Sequence, residues 1–173
     1  PWPYAHDDPV RRPLQASLQA LAFPRAYPML FDGQELMSDQ LPARYLVQYL
    51  AITTPPGVWL LVLIGAVREA LERRSSPGDQ RFVYGLAWIW FALPLVSFFV
   101  LRPNVYDGIR HFLFLLPALA VLAARGALAI LDSMRSTRLG PLGWPLALGL
   151  TCAPVPALVA LHPYQSSYFN LSV

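Results

Sequence analysis

The sequence predicts an all-α membrane protein: four transmembrane helices behind an exterior N-terminal segment that contains short helices. Three observations predict it. Hydrophobic residues make up 55% of the chain and charged residues only 13%, well under the roughly 25% charged that is usual in soluble domains. Apolar runs of membrane length recur, since a hydrocarbon core of roughly 30 Å takes about 20 helical residues, or about 17 when the ends snorkel. The arginines gather mostly beside those runs, as topogenic charge does.

Residues 1–56 form the exterior segment, rich in proline and aromatics and carrying Asp7, Asp8, Asp32, Glu35 and Asp39. Leu14, Leu18, Leu21 and Ala22 recur at helical spacing and predict one amphipathic helix, suited to the membrane surface or to the rest of the protein. A second short helix is expected through Tyr45 to Leu50, leading into Thr53-Thr54-Pro55-Pro56.

Residues 57–173 form the transmembrane bundle. The first span, about 57–74, has a sharp start because proline suits a first helical turn, and Arg68 and Glu69 end its apolar run early. The second, about 82–101, is uncharged, with Trp88 and Trp90 near its middle and Pro94 as the place for a kink. The third, about 109–131, is interrupted from His111 onward only by Arg125. The fourth, about 141–161, carries Pro145, Pro154 and Pro156, so its helix must bend where backbone donors are lost.

Orientation follows from arginines near the span ends, counted without subtracting acids. Seven (Arg68, Arg73, Arg74, Arg81, Arg125, Arg135 and Arg138) fall in two connections, against three (Arg44, Arg102 and Arg110) on the other side. The first set is therefore expected in the cytoplasm, with both ends of the chain outside. All thirteen cations are arginines, and no basic run interleaved with aromatics points to nucleic acid. The single Cys152 can form neither a disulfide nor a cysteine-ligated metal site within the chain. The sequence also lacks HExxH, GxSxG and a phosphate-cradling glycine loop, which weakens hydrolytic, zinc and ATP-binding readings. No resident cofactor is implied and no ligand cluster indicates a divalent metal.

The candidate chemistry lies in Tyr106-Asp107-Gly108-Ile109-Arg110-His111, set at the mouth of an apolar run. On a helix starting near Asp107, the side chains of Asp107, Arg110 and His111 would share one face. Arginine suits a phosphate there, because its planar fork binds two oxygens and stays charged. The plainer account is an interfacial anchor, with Arg110 snorkelling and Asp107 capping. A second group, His162, Tyr164, Tyr168 and Asn170, follows the last span on the same side. These donors and acceptors suit a sugar or a phosphate, and their aromatic rings equally suit the interfacial belt. Asp7 with Asp8, and Asp32 with Glu35, could serve as a base but read more simply as solvated or helix-capping acids.

Four motifs, taken in order, resemble the C-terminal half of a polyprenyl-phosphate-sugar-dependent glycosyltransferase. They are Phe31-Asp32-Gly33; Leu41-Pro42-Ala43-Arg44-Tyr45 with Thr53-Thr54-Pro55-Pro56; Tyr106 to Pro117; and His162-Pro163-Tyr164 with Tyr168-Phe169-Asn170. The family resembled is the GT-C superfamily, specifically family 39 proteins akin to protein O-mannosyltransferases and aminoarabinose transferases. The resemblance implies a bacterial inner-membrane enzyme that takes a sugar from a lipid-phosphate carrier. The acceptor would be a protein, lipid or polysaccharide on the exterior side. It further implies Arg110 as the phosphate ligand, with His111, Asp107 and Tyr106 orienting it or touching the headgroup. The catalytic acid-base residue is expected in an exterior loop upstream of Pro1, so that this piece would be inactive alone. The alternative is a non-catalytic membrane protein, a transporter or assembly subunit, whose boundary charges only set topology.

Overall fold

A computed structural model of the chain describes residues 8–21, 26–72, 78–105, 108–164 and 168–170. The chain is mainly helical. Helix α1 (Arg11–Leu21) starts behind Asp8, whose carboxylate accepts hydrogen bonds from the backbone N–H of Val10 at 3.2 Å and of Arg11 at 2.8 Å. That is the capping role expected of an aspartate at a helix start. Leu14 and Leu18 stand exposed on α1, 60% and 58%.

An antiparallel hairpin that the sequence analysis did not anticipate follows: β1 (Pro28–Phe31) and β2 (Gln34–Met37), with Phe31 opposite Gln34. Its two-residue turn is Asp32-Gly33, with φ of 54° and 74°. Positive φ at both central positions suits a tight hairpin turn whose twist matches the strands, and Asp-Gly is among its favoured pairs. The turn signal was present in the sequence. It was overlooked because four-residue strands show too little alternation to register as a period.

Helix α2 (Tyr45–Thr53) and helix α3 (Pro56–Glu72) meet at an angle of 106°. Thr54 is extended, with ψ of 132°, as the residue before a proline must tend to be, and Pro56 opens α3 without forfeiting a hydrogen bond. Helix α4 (Gly78–Leu101) contains Pro94 without being ended by it. It stops where Arg102 takes a φ of 44° ahead of Pro103. A 3-10 turn over Arg110–Phe112 precedes helix α5 (Leu115–Arg135). The expected third span is thus displaced toward its C-terminal end, with Pro117 in the first turn of α5, where its missing N–H has no helical acceptor anyway. Helix α6 (Gly143–Cys152) breaks at Ala153-Pro154 into helix α7 (Val155–Ala160), as the prolines require.

Three helical stretches, Gly78–Leu101, Leu115–Arg135 and Gly140–Ala160, are long and apolar enough to cross a membrane. A fourth is added if the bent α2 and α3 pair counts as one span.

Helices α3 and α5 form the centre of the packing and run parallel: Val58 shares a groove with Leu119, and Leu71 one with Met134. Their approach depends on missing side chains. A Cβ on Gly126 would overlap the Leu61 carbonyl, and one on Gly65 would lie 2.9 Å from the Gly126 nitrogen. Between helices in hydrocarbon the adhesive is such close packing, since lipid tails are as apolar as leucine. Leu61, Leu115, Leu119 and Leu122 fill the seam.

Arg125 requires a correction. It was counted among the cytoplasmic connection arginines, yet it is the eleventh residue of α5 and only 8% exposed. Its side chain runs to Glu72 at the end of α3, at 2.6 Å, and its guanidinium lies 5.6 Å from the Tyr84 ring centre. Arg68 pairs with the same Glu72, and Trp88 donates to Glu69 at 3.3 Å. The Glu72 carboxylate thereby bridges two guanidiniums, while Glu69 accepts from an indole, where α3, α4 and α5 meet.

Candidate functional site

At the end of the bundle where α3 and α5 begin and α4 and α7 finish, the chain gathers segments far apart in sequence. The hairpin docks first. Phe31 lies 5.2 Å from the Tyr45 ring and 6.1 Å from the Tyr49 ring, and those two tyrosines lie 4.7 Å apart. Arg44 holds the hairpin tip through a 2.7 Å bond to Asp32 and places its guanidinium 5.8 Å from the Phe31 ring. Both partners of that ion pair are more than half exposed, so it fixes register more than it stabilises.

The Arg110 segment is then pinned from two sides. Ahead of it, the backbone N–H of Gly108 donates to the Tyr45 hydroxyl at 2.9 Å. Gly108 has φ of 62°, and a Cβ there would meet the Tyr49 ring at 3.2 Å. Behind it, Phe112 is buried, with its ring edge-on to Phe98 at 5.7 Å. Between these anchors Arg110 is exposed.

The C-terminal tail closes the other side. Asn170 is 6% exposed, and its amide donates to the carbonyls of Ala51 at 2.7 Å and Thr54 at 2.8 Å. Its backbone N–H donates to Ile52 at 2.7 Å. These are carbonyls at the end of α2 that the helix itself leaves without partners. Asn170 is therefore a helix-end clasp, and it brings Tyr168 and Phe169 against the α2–α3 bend.

A cavity of about 500 Å³ results. Its lining combines the polar Arg110, Tyr49, Thr53 and Tyr168 with the apolar Pro55, Leu113, Pro154 and Leu158. It shares Thr53, Pro55 and Ile109 with a second cavity of about 540 Å³ between α3, α5 and α6. The second cavity is lined by Val58, Leu116, Ala120, Ala127, Trp144 and Leu148 among others, with no charged side chain among the described residues lining it. From Leu116 to Ala127 it follows α5 for about 16 Å, at roughly 1.5 Å per residue. A cavity lined by an arginine and hydroxyl side chains thus adjoins an apolar groove.

Of the residues proposed from sequence, the structure brings Arg110 and Tyr168 into the cavity lining. His111 is exposed beside it, and His162 and Tyr164 are exposed on the descending tail without lining it. Tyr106 and Asp107 lie outside the described residues. The expected α-helical face also needs correction, because Arg110 and His111 sit in a 3-10 turn ahead of α5. The turn at Gly108 and the proline at 117 start α5 later than hydropathy alone suggests.

Tyr49 was missed, although Tyr45, Tyr49 and Thr53 recur four residues apart and so share a helix face. Thr53 donates to the Tyr49 carbonyl at 2.6 Å, which leaves its oxygen lone pairs toward the cavity it lines. Among the described residues no group of three or more His, Cys, Asp or Glu could hold a metal ion. Comparisons with protein-family models, with curated proteins and with solved structures found no match.

Proposed function

We propose that this chain forms the lipid-phosphate end of a membrane glycosyltransferase that uses a polyprenyl-phosphate-linked sugar as donor, with Arg110 as the phosphate ligand. The observation that carries the reading is the adjacency of the two cavities, which share Thr53, Pro55 and Ile109 in their walls. A ligand with an anionic head and a long apolar tail is the chemistry complementary to an arginine at the mouth of an uncharged groove. Tyr49 and Tyr168 carry hydroxyls suited to donate to that head, and Thr53, whose proton goes to the Tyr49 carbonyl, can accept from a sugar hydroxyl. The resemblance of four motifs to family 39 glycosyltransferases supports it from a different direction, and three of them contribute residues to this lining: Thr53 and Pro55, Gly108 to Arg110, and Tyr168 with Phe169.

On this reading, Arg110 stabilises the charge on the carrier phosphate as the sugar departs, an electrostatic role worth most where water is excluded. The mouth faces the cell exterior of a bacterial inner membrane. His111, the exposed neighbour of Arg110 in the same turn, is the second group offered to the headgroup. The acceptor, a protein, lipid or polysaccharide, enters from the same side.

The test is binding by the chain in lipid nanodiscs, comparing a polyprenyl phosphate with the uncharged polyprenol of equal length. The phosphate is expected to bind about tenfold tighter, and Arg110→Ala to remove that preference. Equal affinities for the two ligands, or a preference indifferent to Arg110→Ala, would favour a non-catalytic transporter or assembly subunit.

A further inference from the structure

The turn that carries Arg110 is three residues long and is anchored at both ends by other parts of the fold. The anchor behind it is apolar: Phe112 packs edge-on to Phe98 and restricts where the turn sits without orienting it. The anchor ahead is directional. The Gly108 N–H points at the Tyr45 hydroxyl across 63 residues of sequence, and Tyr45 is fully buried. The left-handed φ of Gly108 is what allows the N–H to turn inward, and the flat face of Tyr49 occupies the space a side chain would need.

We infer that Tyr45 is a positioning residue for Arg110: its hydroxyl fixes the backbone at Gly108 and thereby sets where the turn carrying Arg110 meets the cavity. This rests on the reading of Arg110 as the phosphate ligand. Tyr45 makes no contact with the ligand on this account, since it is absent from the cavity lining. Its effect travels through two residues of backbone. A group held within about half an ångström binds or catalyses better than one left to its own rotamers, and the geometry supplies that restraint through one hydrogen bond.

Tyr45→Phe removes the hydroxyl and keeps the ring, so the contacts with Phe31 and Tyr49 persist. In nanodiscs it is expected to bind a polyprenyl phosphate about two- to tenfold more weakly, the usual weight of one hydrogen bond, with polyprenol binding unchanged. Gly108→Ala, which opposes the positive φ and crowds Tyr49, should produce the same selective loss. A parallel loss of both ligands in Tyr45→Phe would make Tyr45 merely structural and overturn the inference. So would full phosphate affinity in Tyr45→Phe alongside a loss in Arg110→Ala; that pattern leaves the functional reading standing. Unchanged affinity in Arg110→Ala would end both.

Discussion

The carboxylate of Glu72, the last residue of α3, accepts a 2.6 Å charge-assisted hydrogen bond from Arg125, halfway along the parallel helix α5. The Arg125 side chain is 10% exposed and that of Glu72 32%. The two members therefore differ in what each would leave behind. Removing Glu72 strands a buried guanidinium, whereas removing Arg125 leaves a half-exposed carboxylate still paired with Arg68. Glu72→Ala should cost about 3 kcal/mol, within the range for an orphaned buried charge, and Arg125→Leu distinctly less. Unfolding of the two variants in detergent checks the order, and equal costs would refute the asymmetry.

The α3–α5 seam makes a second prediction. Gly126→Ala places a methyl group against the backbone carbonyl of Leu61, which cannot rotate away. A loss of about 3 kcal/mol is expected, at the upper end of overpacking costs. Gly85→Ala is the control, because nothing lies within 4 Å of a Cβ at that α4 position. It should be neutral or stabilising by about 0.5–1 kcal/mol, since alanine is the better helix former. Thermal midpoints of the pair decide it.

Asn170 supplies a third. Asn170→Ala removes two donors from the α2 carbonyls, a loss of about 1–3 kcal/mol at a buried site. Asn170→Asp should be worse, because a carboxylate oxygen would face two carbonyl oxygens in place of an N–H group. Carboxypeptidase digestion of the tail should accelerate in the order wild type, Asn170→Ala, Asn170→Asp. Equal rates would mean that Asn170 does not clasp the tail.

The apolar groove can be probed separately from its mouth. Ala120 lines the groove but not the Arg110 cavity. Ala120→Trp should therefore weaken binding of polyprenyl phosphate and polyprenol alike, by tenfold or more on the scale where each 1.4 kcal/mol is a factor of about ten. Arg110→Ala affects only the phosphate. If Ala120→Trp binds both ligands normally, the tail does not occupy this groove.

Much of this arrangement was legible from local signals. Pro55-Pro56 marked the start of α3, Pro154 the break between α6 and α7, and Leu14 with Leu18 the helix α1. Asp32-Gly33 was a readable hairpin signal passed over for want of strand periodicity. Arg125 was unreadable in principle: an arginine in an apolar run is either the end of a span or a buried charge. The choice depends on Glu72, 53 residues earlier in the chain.

The sequence by itself determined the helices, their apolar faces and the breaks between them, because periodicity, proline and glycine act within a few residues of their own position. It also singled out Arg110 and Tyr168. Only the tertiary structure decided that Arg110 faces a cavity shared with Tyr49 and Tyr168, that Tyr45 holds Gly108, and that Asn170 completes α2. Those relationships join residues roughly 60 to 120 positions apart through one to three hydrogen bonds or shared walls. No local pattern records them, since each depends on the directions in which several helices leave their turns.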